Sequence, residues 1–83
     1  MVDPELCRAI GTVLHEAGGR PCTARAISTF VRPYVRTTAS VLDVHSHLLH
    51  LENRGDVRRH ADPDEPEILS WSLTDAGKLR FPV

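Results

Sequence analysis

The stretch from Thr37 to Leu79 restricts the fold more than any other part of this 83-residue chain. Val41, Val44, Leu48 and Leu51 recur at steps of three and four, which is the stripe of an amphipathic helix. Ser40 and Asp43 have the spacing of a capping box that would start that helix, with Asp in place of the commoner Glu. Gly55 stands where a left-handed residue would close it. Val57-Arg58-Arg59-His60 and Ile68-Leu69-Ser70-Trp71-Ser72-Leu73 then read as two strands. Their link, Ala61 to Glu67, carries two prolines and four acids, so it is a loop. Thr74 is a cap for a short last helix. Helix, ribbon and helix in that order put the chain in the α+β class.

The first half supplies two more helices. Asp3-Pro4-Glu5 is a strong start, with a capping carboxylate, a proline suited to the first turn and an acid at the positive end of the helix dipole. Leu6, Ile10, Val13, Leu14 and Ala17 form the apolar stripe, and Gly18-Gly19 stops the helix. Gly11 lies inside it at a cost of roughly 1 kcal/mol against Ala, which a close helix-to-helix approach would explain. Arg20-Pro21-Cys22 reads as a short extended piece. Thr23 caps a second helix with Ala26, Ile27, Phe30 and Val31 facing inward, and Pro33 ends it. Leu79 and Phe81 are expected to pack back on the core. Leu42 and Leu49 lie beside the third helix's core stripe and are expected at the edge of the core. If exposed, they would make an apolar strip suited to a protein partner.

Composition sets the class and removes several functions. Hydrophobic residues are 41% and charged residues 25%, the balance of a globular domain, read here as one domain over residues 1–83. No apolar run approaches the roughly 20 residues that span a bilayer. The N-terminus has no basic region followed by an apolar stretch, so the cytoplasm is the expected compartment. Cys7 and Cys22 lack zinc-site spacing and read as small hydrophobes. There is no Gly-rich phosphate loop, no G-x-S-x-G and no pair of carboxylates in a plausible cleft, so no enzymatic activity and no cofactor are expected. His47 and His50 are neighbours on a helix face, but His45 points away from them, and no metal site is expected.

Net charge is −1, so any affinity for phosphate must come from a region. Between Arg36 and His60, Arg36, Arg54, Arg58 and Arg59 face Asp43, Glu52 and Asp56, with His45, His47, His50 and His60 able to add charge as pH falls. The middle of the chain is weakly basic and stands beside an acidic loop.

Three helices followed by a β-hairpin is the winged-helix order. Three segments carry the resemblance: Ala17 to Arg25, His47 to Arg59, and Trp71-Ser72-Leu73-Thr74-Asp75-Ala76-Gly77. Together they resemble the MarR, ArsR and PadR-like regulators over nearly the whole chain, from Leu6 to Leu79. The resemblance implies a three-helix bundle with a helix-turn-helix, a two-stranded β wing and a short C-terminal helix. It also implies a transcriptional regulator that inserts helix 38–54 in the major groove of double-stranded DNA. Ser46, His47 and His50 would then face the groove, and Thr37, Thr38 and Ser40 would donate to phosphates near the helix start. Arg36, Arg54 and one of Arg58 and Arg59 would hold phosphates, since strand alternation sends those last two to opposite faces. The long dimerisation helices of MarR proteins are not in this sequence. A homodimer would therefore use the first helix, the last helix or nothing.

Two departures open an alternative. Related regulators commonly carry Arg or Lys where Ser46 and His50 stand, and the loop that would be the wing tip holds Asp62, Asp64, Glu65 and Glu67. Those acids, with Leu42, Leu49 and a neutral helix face, would suit a protein-interaction module that docks a basic or apolar partner.

Overall fold

Each helix starts where the sequence carries a cap. In the computed structural model, which describes residues 2–81, Asp3 accepts a hydrogen bond from Glu5 N at 2.9 Å and opens α1, Pro4–Glu16. Thr23 accepts from Ala26 N at 3.2 Å and opens α2, Ala24–Phe30. A short 3-10 turn, Arg32–Tyr34, follows around Pro33. Ser40 and Asp43 form the expected capping box, each side chain bonded to the other's backbone N–H, and open α3, Val41–Asn53. Thr74 accepts from Gly77 N at 3.0 Å and opens α4, Asp75–Arg80.

The sheet has one strand more than the sequence reading expected. The extended piece at Cys22–Thr23 is β1, and the wing strands are β2, Val57–Ala61, and β3, Leu69–Leu73. All are antiparallel in the order β1-β3-β2. Cys22 pairs with Trp71 and Thr23 with Ser70, so the ribbon is tied to the start of α2 as well as to the end of α3. A two-residue strand has no periodicity to read, and its partner lies far along the chain.

One hydrophobic cluster joins helices and sheet. Leu6, Ile10, Val13 and Leu14 come from α1, Ile27 and Val31 from α2 and its end, Val44, Leu48 and Leu51 from α3, and Val57, Trp71 and Leu73 from the ribbon. Trp71 is fully buried, with His45 edge-on at 6.0 Å. Gly11 does admit a close approach, but by a side chain: an added Cβ would stand 2.3 Å from Cγ of Phe81. Phe81 therefore packs on the core as expected, whereas Leu79 is exposed. Phe30 is also exposed rather than inward-facing, because the last turn of α2 turns Ile27 and Val31 to the core and leaves Phe30 on its outer side.

Candidate nucleic-acid interface

The face that α3 leaves open is set by the face it buries. Val44, His47, Leu48 and Leu51 are the buried residues of α3, while Val41 is exposed. Exchanging Val41 for His47 turns the helix relative to the hydropathy stripe. At about 100° per residue, the centre of the open face becomes Leu42, Ser46, Leu49 and Asn53, flanked by Asp43 and His50. Leu42 is 80% exposed and Leu49 36%. The expectation that both would line the core is thus corrected, and the apolar strip foreseen as the other outcome is present.

His47 is 8% exposed and leaves the predicted groove face altogether. Its Nδ1 lies 2.7 Å from Asp43 O, and its Nε2 accepts from Asp3 N at 3.0 Å. Those bonds fix the neutral tautomer with the proton on Nδ1. The ring is the means by which α3 holds the start of α1.

Arg54 and Arg59 were expected on phosphates, and the fold uses both. Asp56 follows α3 with its side chain fully buried. Arg80 Nε donates to Asp56 Oδ1 at 2.9 Å, and Arg54 Nε stands 3.3 Å from Oδ2, an ion pair without the alignment of a hydrogen bond. The Asp56 carbonyl accepts from Thr74 N at 3.0 Å. Gly77 packs so closely on that carbonyl that an added Cβ would lie 2.0 Å from it. The Arg54-Gly55-Asp56 and Thr74-Asp75-Ala76-Gly77 segments are therefore two halves of one clasp.

Arg59 is tied in a fork to Glu52 of α3, with Nε at 3.1 Å from Oε2 and Nη2 at 2.7 Å from Oε1. Its guanidinium lies 5.4 Å from the Trp71 ring centroid. The hydrogen bond to Glu52 holds its proton more firmly still, above the ordinary arginine range. Arg58 lies on the opposite face, as strand alternation requires. It shares that face with His60, whose Nε2 is 2.8 Å from Ser72 Oγ. The guanidinium of Arg58 meets no carboxylate among the described residues.

The remaining expected residues gather around the start of α3. Arg36, Thr37, Thr38 and Ser40 are exposed there; Arg36 N donates to Glu5 Oε1 at 2.8 Å, and the Arg36 guanidinium meets no carboxylate among the described residues. Thr37 and Thr38 border a shallow depression against Asp3, Leu6 and Val35. Ser40 Oγ accepts from Asp43 N in the cap, and its own O–H donates to no acceptor among the described residues. Ser46 is exposed and donates to Asp43 O at 3.2 Å, and His50 is half-buried.

Arg25 in α2 and Arg32 in the 3-10 turn are two exposed cations the sequence reading passed over. The helix-turn-helix logic was the available signal, because the first helix of that motif crosses the DNA backbone.

The wing tip is ordered by its own acid. Asp62 Oδ1 accepts from Asp64 N at 2.8 Å and Glu65 N at 3.2 Å, while Asp64, Glu65 and Glu67 remain exposed. Burial pushes both thiols, Cys7 and Cys22, above the ordinary range, so neither is a ready thiolate.

Compared by sequence, the chain matches no family model and no curated protein. Compared by structure, it is similar to several transcriptional regulators. A probable transcriptional regulator from Pseudomonas aeruginosa is 26% identical, with a TM-score of 0.70 over 95% of this chain and 53% of that one. The YusO protein from Bacillus subtilis is 20% identical, with a TM-score of 0.76 over 96% of this chain and 50% of its own. FabT from Streptococcus pneumoniae, solved in complex with DNA, is 16% identical, with a TM-score of 0.71 over 96% of this chain and 50% of its own. The chain thus spans about half the length of the structures it matches. Helix order, wing and structural likeness agree, and the fold is the winged helix found in MarR-type transcriptional regulators.

Proposed function

We propose that this chain is a DNA-binding domain that regulates transcription by seating α3 in the major groove of double-stranded DNA. The observation that carries the reading is the open N-terminal face of α3, in a fold shared with transcriptional regulators of which one is bound to DNA. Ser46 and His50 face the bases in this arrangement. Thr37 and Thr38 donate to phosphates at the helix start, where the dipole favours an anion. Ser40 holds the helix start in place. Arg36, Arg58, Arg25 and Arg32 supply the cations that Arg54 and Arg59 do not. A homodimer on a two-fold site, a cytoplasmic location and the lack of catalysis belong to the same reading.

Fluorescence anisotropy with random duplex DNA tests it. Roughly micromolar binding that falls steeply with salt is expected, since each phosphate held by a cation releases counterions. No retention of duplex at low salt overturns the reading.

The exposure of Leu42 and Leu49 and of the acids Asp64, Glu65 and Glu67 favours a second reading, a docking face for a basic or apolar protein. Converting these three acids to their amides separates the two. Under the first reading duplex binding holds or improves, because repulsion from phosphate is removed. Under the second, a protein complex weakens and duplex binding stays absent.

A further inference from the structure

We infer that Leu42 is a specificity-determining residue that reads the C5-methyl group of thymine, an inference that rests on the DNA-binding reading above. Leu42 is the second residue of α3, and in helix-turn-helix proteins residues at the N-terminal end of the second helix reach base edges. It is 80% exposed, so its side chain is free to be buried by a ligand. Ser46 lies one turn on and Leu49 two turns on along the same face, and none of the three carries a charge. The nearest charge on the helix is Asp43. Its carboxylate is occupied by Ser40 N at 3.2 Å, turned back toward the helix's own start.

The chemistry of the groove then decides the base. Guanine, cytosine and adenine present donors and acceptors at the major-groove edge, and only thymine presents an apolar group. A leucine pressed against guanine or adenine would leave those polar atoms without a partner, whereas a leucine against thymine buries one methyl group on another apolar surface. The missing arginines at Ser46 and His50 are consistent with the same outcome, because no guanine-reading fork is available on this face.

The test begins with selection of duplexes from a random library on the full 83-residue chain. Each thymine of the selected site is then replaced by uracil, which keeps the pairing edge and removes only the methyl group. The expected result is one thymine in each half-site whose replacement weakens binding by about fourfold, the affinity equivalent of one buried methyl-sized group. Leu42→Ala should bind thymine and uracil duplexes equally, with an unchanged melting temperature because the side chain supports nothing in the fold. If no thymine responds to uracil, or if Leu42→Ala keeps the discrimination, the inference is overturned while DNA binding stands. If the library yields no duplex at low salt, the DNA-binding reading falls and this inference with it.

Discussion

The two ends of α3 serve different purposes, although the sequence makes them look alike. At the C-terminal end, Arg54 reaches Asp56, Glu52 holds Arg59, and Arg80 comes from α4 to complete the clasp. At the N-terminal end, Ser40 and Asp43 satisfy each other, and Arg36, Thr37, Thr38 and Leu42 are left open to whatever binds. The end richest in arginine keeps Arg54, Arg59 and Arg80 in ion pairs and leaves only Arg58 outside them. Charge counted along a chain is therefore a poor guide to charge available at a surface. The carboxylate that consumes a cation can lie 24 positions away, as Asp56 does from Arg80.

The sharpest way to break this comparison is to strip the clasp. Replacing Arg54 and Arg80 together by Met leaves a buried carboxylate without a counter-charge and should cost about 3–5 kcal/mol, read from urea unfolding. Arg54→Met alone should lower stability and leave the salt dependence of duplex binding unchanged. A flatter salt dependence would return Arg54 to the phosphate contacts.

Gly77→Ala tests the other half of the clasp, where the new methyl group would drive into the Asp56 carbonyl. A loss of about 1–3 kcal/mol is expected from such overpacking. In a domain of this size that lowers the melting temperature by roughly 4–8 °C per kcal/mol. An unchanged melting curve would mean that α4 and the ribbon yield freely.

His47→Ala leaves Asp3 N without its acceptor and should cost about 1–2 kcal/mol, with duplex affinity per folded molecule unaltered. A loss of affinity at full stability would put His47 back in the groove.

The smallest and most specific effect separates neighbours in β2. Arg58→Gln should reduce the salt slope of duplex binding by about one, and Arg59→Gln should not. Equal slopes would show that the fork to Glu52 opens when DNA arrives.

Much of the fold was legible because its signals are local. Asp3, Thr23, Ser40 and Thr74 cap the helices they precede, and the prolines and acids from Asp62 to Glu67 mark the turn between the wing strands. The candidate site was harder because its errors are tertiary. Hydropathy assigns histidine to water. His47 nevertheless lies inside, where it accepts from the backbone N–H of Asp3, the residue that caps a helix 44 positions away. Leucine is assigned to the core, yet Leu42 stands on the open face of α3. β1 escaped notice as a strand for the same reason, since only β3 makes it one.

The Asp56 clasp also has a mechanical consequence. It joins the end of α3, the root of the wing and the start of α4 at one point, with contacts from backbone and side chain together. α3 and the ribbon beside it are thus tied together through the contacts that meet at Asp56. A ligand that meets both finds their spacing already set, so little binding energy goes into ordering them. Calorimetry of complex formation should then show a heat-capacity change matched to the contact surface alone, without the larger signature of a segment that folds as it binds.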